Sequence, residues 1–203
     1  DLSCASIELP PWKGSKFTGK AYYDKAKTGI DSFAAEVDGG GHVKGSYHRM
    51  RAENICNTDF VWKDVPAACL LEQLQYPAIL TGTTSGEVSY GLDRDDPATI
   101  KGHGQFEVRD GQFSADFLLA QLGERLDTQL ASLPTALKFQ RAASNVEFER
   151  DLVRTPDATL VSEGLNAKAS GQFVLHGDMD YDLRIVLSPD FAARVPILRD
   201  NMN

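Results

Sequence analysis

The sequence predicts a mostly β fold of the α+β kind, a large curved antiparallel sheet with one long and one short helix packed on it. Three observations carry that expectation. Apolar residues recur at every second position along most of the chain. The clearest run sets Ile100, Gly102, Gly104, Phe106 and Val108 against Lys101, His103, Gln105, Glu107 and Arg109, the pattern of a strand wetted on one side. Turn chemistry separates such runs at Asp38-Gly39-Gly40-Gly41, at Asp93 to Pro97 and at His176-Gly177-Asp178, as hairpins require. The apolar period lengthens to three or four only twice, in Leu70, Leu71 and Leu74 and in Leu119, Leu122, Leu126, Leu130 and Leu133, as on one stripe of a helix.

Taken in order, Leu2 to Leu9 reads as a strand closed by Pro10-Pro11, with Trp12 and Gly14 in a loop. Phe17, Gly19, Ala21 and Tyr23 alternate in a second strand, and Asp24 to Gly29 is a polar turn. Phe33, Ala35 and Val37 run into the glycine hairpin, and Val43, Gly45 and Tyr47 return from it. Ile55 to Trp62 is rich in β-formers. Pro66 opens the short helix, 66–75, because proline suits a first helical turn, and Tyr76-Pro77 ends it. Strands follow around Gly86 and Val88 and from Ile100 to Val108. Asp110-Gly111 reads as a turn and Asp116 as the cap of the long helix, 116–133. Beyond Pro134, Leu137 to Phe148 alternates with a phase slip near Ser144-Asn145, which marks a bulge or a break. Thr159 to Ser162 is short, Leu165 to Leu175 long, and Tyr181, Leu183, Ile185 and Leu187 form the last strand. Ser188-Pro189 starts a short terminal helix. The whole, 1–203, reads as a single β-rich domain of two loosely similar halves, 1–81 and 82–203.

A formal charge of −8 argues against nucleic acid, whose phosphates want a basic stripe, and against attraction to anionic headgroups. Any lipid contact has to work through apolar surface. The chain opens on Asp1 rather than Met, so it is expected to be a processed form or a piece of a longer protein. Cys4, Cys56 and Cys69 show no C-x-x-C spacing. They are either three small buried hydrophobes or one disulfide and a free thiol.

Candidate chemistry is thin. Asp178, Asp180 and Asp182 have the spacing that opens a calcium loop, without its glycine or its later bidentate glutamate. The same residues fit the wet face of a strand. His42, His48, His103 and His176 lack the spacing of a zinc site. Gly102-His103-Gly104 lies inside a strand rather than before a helix, so it is no phosphate loop. No nucleophile elbow or Ser-His-Asp grouping can be assembled, and no cofactor or catalytic residue is expected. The fold poses a covering problem instead. About ten strands at about 4.8 Å each make a sheet on the order of 45 Å wide, and one helix hides a band about 10 Å across. Either the sheet closes on itself as a sandwich or flattened barrel, or it stays an open trough whose wall holds another apolar molecule.

The order of these features also resembles a known family. Glycine-spaced alternating strands, the run Gly102-x-Gly104-x-Phe106-x-Val108 to Asp110-Gly111, and a Leu-rich helix look like the C-terminal module of AsmA-like cell-envelope proteins. The likeness continues in 139–149, 158–161 and 169–173 and spans roughly 82–187. It implies a non-enzymatic periplasmic segment that serves outer-membrane biogenesis and phospholipid transport, with an inner-membrane anchor outside this chain. Acyl chains would rest on the apolar wall, for which Ile100, Phe106, Val108, Phe139, Phe173 and Leu175 are the candidate residues. Other envelope proteins are the expected protein partners. The alternative is a closed structural or protein-docking module that pairs through an exposed strand edge.

Overall fold

The computed structural model describes residues 2–9, 12–73, 79–114, 136–175 and 177–194. The region expected to form the long helix, 116–133, lies outside them. The described chain is one eleven-stranded sheet in which spatial order equals sequence order, and every neighbouring pair is antiparallel. Its strands are β1 Leu2–Leu9, β2 Trp12–Tyr23, β3 Lys27–Val37, β4 His42–Met50, β5 Ile55–Pro66 and β6 Thr83–Asp93. They continue as β7 Asp96–Ser114, β8 Ala136–Glu149, β9 Leu152–Val161, β10 Leu165–Val174 and β11 Met179–Leu187. Helices α1 Ala67–Gln73 and α2 Pro189–Arg194 are short. Ser188 caps α2, its Oγ accepting the Phe191 N–H at 3.2 Å. β1 and β11 do not pair with each other. Of the expected architectures the sheet therefore takes the open one, and neither the barrel nor the sandwich forms among the described residues.

The alternation places the strands, and turn chemistry joins them. Asp24 Oδ1 accepts the N–H groups of both Ala26 and Lys27 at 2.7 Å, an Asx turn that joins β2 to β3. Gly39, Gly40 and Gly41 all have positive φ in the next hairpin, which glycine alone adopts without penalty.

Several boundaries differ from the sequence reading. Trp12 and Gly14 are in β2, opposite Leu9 and Ile7, rather than in a loop. β9 starts at Leu152, well before the expected Thr159. Its polar stretch Arg154-Thr155-Pro156-Asp157 hides the strand in sequence. The register against β10 and β8 shifts there, a place where a strand tolerates proline. Asp110-Gly111 is not a turn, because β7 runs through it to Ser114.

That last correction exposes a pattern. At three of the places where a strand changes phase, a residue with positive φ absorbs the change; the shifts in β3 near Ile30 and in β9 near Pro156 occur without one. The three residues are Lys16 (φ 53°), Asp64 (φ 57°) and Asp110 (φ 49°). Each lies between two face residues spaced three apart, Gly14 and Phe17, Trp62 and Val65, Val108 and Gly111. Register shifts accompany them between Ser15 and Thr18 and between Trp62 and Val65. A bulge of this kind turns the chain by one residue and returns the apolar series to the same face.

Two apolar clusters result. Phe17, Ala35, Val37, Val43 and the fully buried Val65 pack with Phe33, Phe60 and Trp62. Ala67 of α1 packs with Val108 and Phe139, and with Leu80, Phe113, Ala142 and Leu160 around them. Rings lie over glycines of the neighbouring strand. A β-carbon on Gly45 would stand 2.8 Å from Phe33 Cζ, and one on Gly102 would stand 2.6 Å from Phe148 Cζ. The ring recovers the packing that the glycine lacks.

Two predictions follow from this packing. Gly45→Ala should cost about 1–3 kcal/mol by overpacking, since its β-carbon would also meet the Asp59 carbonyl. Gly91→Ala should be nearly neutral, because there the nearest atom is the movable Oδ1 of Asn57. Asp110→Val should cost about 1–3 kcal/mol, since a β-branched residue is strained at positive φ, while Asp110→Gly should be neutral or stabilising. Urea unfolding of the variants checks both.

Candidate functional site

Register converts the alternation into a surface. Residues directly opposite in an antiparallel ladder share a face, so rows can be followed across the sheet. One row runs Ile30, Tyr47, Thr58, Tyr90, Gly102, Phe148, Val153, Phe173, Met179, from β3 to β11. A second runs Leu2, Gly19, Phe33, Gly45, Phe60, Val88, Gly104, Val146, from β1 to β8. A third runs Val65, Thr84, Val108, Ala142, Leu160, Ala167, Ile185, from β5 to β11. All three lie on one face, and Thr58 and Thr84 are their only polar members.

The other face is polar with the same continuity. Ser46, Asp59, Ser89, His103, Glu147, Arg154, Gln172 and Asp180 follow one another from β4 to β11. Asp180 and Asp182, opposite Gln172 and Ser170, belong to this wet surface. Among the described residues no group of three or more potential ligands stands close enough to hold a metal.

The candidate wall residues divide by depth. Val108 and Phe139 keep only 3% and 4% of their surface exposed and share a core cluster with Ala67, so they are covered. Ile100 and Phe173 are half-buried on the apolar face. Phe106 and Leu175 are exposed, at 36% and 44%. The sequence reading left out Tyr90, Phe148 and Val153, which join Phe173 in one row, and the open ladder of Met179, Leu183 and Ile185 on β11. Their alternation was visible, but their alignment across strands depends on register, which no single strand encodes. Tyr90 and Phe148 flank Gly102, with ring centroids 6.5 Å apart.

The polar face holds one arrangement with catalytic ingredients. Ser89, His103 and Glu147 stand side by side on β6, β7 and β8. Ser89 Oγ, however, donates to Asp59 Oδ1 at 2.6 Å, and Asp59 Oδ2 accepts from Ser46 Oγ at 3.1 Å. Backbone N–H groups of these inner strands are spent in the ladders, which leaves no donor pair to serve as an oxyanion hole. A hollow over this region is lined by Asn57, Asp59, Ser89, His103, Glu147 and Arg154, among others, and carries mixed charge.

Further along the same face Glu107 is held between Arg109 and Arg141. The Arg141 hydrogen bond is the main cause that lowers its carboxyl below the usual range. The Arg109 hydrogen bond adds to it, and burial opposes both. Cys56 and Cys69 are free thiols, Cys56 buried with Sγ 3.2 Å from Tyr47 Oη. No helix among the described residues is long and apolar enough to cross a membrane. Comparison with protein families, curated proteins and solved structures finds no significant match to this chain.

The clamp on Glu107 predicts an acid-dependent stability. Its folded pKa lies below the ordinary 4.5, so its contribution is complete above the unfolded value and is lost as pH falls through the lower folded one. Glu107→Gln should therefore flatten the fall of stability as pH drops below the ordinary 4.5, read from urea midpoints at each pH.

Proposed function

We propose that this chain is a non-enzymatic, lipid-handling segment of an AsmA-like protein of the bacterial envelope, working in the periplasm in outer-membrane biogenesis and phospholipid transport. The observation that carries the reading is the row from Ile30 to Met179, apolar save for Thr58, on a sheet whose edges do not meet. An acyl chain laid across such rows touches side chains of many strands and meets almost no hydrogen-bonding group. The polar face stays in water, and the headgroup projects beyond the apolar rim. Rings lying on glycines make the surface low, so a flexible chain meets few obstacles. A formal charge of −8 leaves little attraction for anionic headgroups, so the recognition is apolar and tolerant of headgroup type. An inner-membrane anchor and other envelope proteins are the partners expected with it. The open sheet argues against the closed-module alternative.

Native mass spectrometry on gently purified protein incubated with phosphatidylethanolamine micelles tests the reading. Bound phospholipid is the expected result. Phe106→Glu and Met179→Glu, both at exposed positions of the apolar face, should reduce occupancy several-fold, and His103→Ala on the polar face should leave it unchanged. A protein that retains no phospholipid, or that loses it equally with His103→Ala, overturns the proposal.

A further inference from the structure

β11 ends the sheet, and the hydrogen bonds of its hairpin fix what it presents there. Val174 N–H donates to the Asp178 carbonyl at 3.0 Å, and Ser188 N–H donates to the Gly164 carbonyl at 2.9 Å. Between these two closures the β10–β11 register runs without a shift from Phe173–Met179 to Leu165–Leu187. Bonded pairs recur at every second residue of such a ladder. Asp180, Asp182, Arg184 and Val186 therefore point their backbone groups toward β10. Met179, Tyr181, Leu183, Ile185 and Leu187 point theirs outward, unpaired among the described residues. The side chains of the same residues lie on the apolar face, and Met179, Leu183 and Ile185 are 76%, 62% and 49% exposed. The strand, Met-Asp-Tyr-Asp-Leu-Arg-Ile-Val-Leu, carries no proline, no lysine and no bulge, the usual guards of a free edge.

We infer that this edge pairs with the same edge of a second copy, antiparallel and centred on Leu183. The charges of the strand select that register. Centring on Leu183 sets Asp182 against the partner's Arg184, and by symmetry Arg184 against the partner's Asp182. The outward backbone groups then meet as bonded pairs, Leu183 with the partner's Leu183, Tyr181 with the partner's Ile185 and Met179 with the partner's Leu187. Centring on Tyr181 would set Asp180 against the partner's Asp182, on Asp182 would set that carboxylate against itself, and on Arg184 would oppose two guanidinium groups. Centring on Ile185 leaves Arg184 facing the partner's Val186. Like charges directly opposite destabilise a pair and opposite charges stabilise it. Arg184 also stands opposite Lys168 within its own sheet and has no ion pair among the described residues, so the partner's carboxylate answers a local excess of positive charge. The two-fold axis stands normal to the sheet. The apolar faces of both copies thus lie on one side, and the Tyr181–Ile185 rows continue from copy to copy through a self-complementary contact.

Sedimentation velocity over a concentration series, under reducing conditions, tests the inference. A monomer–dimer equilibrium is expected for the unaltered chain. Arg184→Asp should weaken it by roughly tenfold or more, as a like-charge pair on each side of the axis implies. The double variant Asp182→Arg with Arg184→Asp reverses both charges and should restore the dimer to within about threefold. Circular dichroism of each variant separates loss of fold from loss of pairing. A monomer at every concentration overturns the inference, as does a dimer indifferent to Arg184→Asp. Open-ended growth would mean β11 pairs with the opposite edge and would overturn it equally.

Discussion

Every strand of this sheet is apolar on one side, and a sheet stays soluble only if all those sides coincide. A slip of one residue sends an entire apolar series into water. Each of the ten strand pairings must therefore deliver the same face to the next strand. The rows from Ile30 to Met179 and from Ser46 to Asp180 are what that condition leaves behind, one apolar and one polar, each crossing most of the sheet.

The condition explains the chain's irregularities. Where β2, β5 and β7 change phase, three residues in a left-handed conformation absorb the change. A left-handed residue other than glycine costs about 1–2 kcal/mol, a sum offset by keeping Phe17, Val65 and the ring of Phe139 out of water. Glycines on the apolar face serve the same end. Gly45 and Gly102 lie under Phe33 and Phe148, so large rings pack flat on the sheet instead of standing off it. The burial of Phe17, Val43 and Val65 is thereby reached in a sheet that never closes.

Openness ties the two proposals to one physical cause. A closed barrel would have hidden both the apolar face and the strand edges. Here the face from Tyr90 to Met179 can shelter an acyl chain, and the outward backbone groups of β11 can continue the ladder. Interior strands spend their N–H groups on one another, and the Ser89 hydroxyl, beside His103, is tied to Asp59.

The sequence by itself determined the β class, nearly every strand, the glycine hairpin, the short helix after Pro66 and the one-sided character of the sheet. Those depend on residues close in the chain, where period and turn chemistry act directly. It also held the signature of the bulges, two face residues three apart with polar residues between. At Val108-Arg109-Asp110-Gly111 that signature resembles a turn, because both use a left-handed aspartate, and local sequence does not distinguish a chain that reverses from one that is only displaced. Only the tertiary structure decided that the sheet stays open, that Val108 and Phe139 are covered while Phe106 is not, and that Tyr90, Phe148, Val153 and Phe173 stand in line. Those outcomes rest on register between strands far apart in sequence, and register is set by all the pairings together rather than by any one of them.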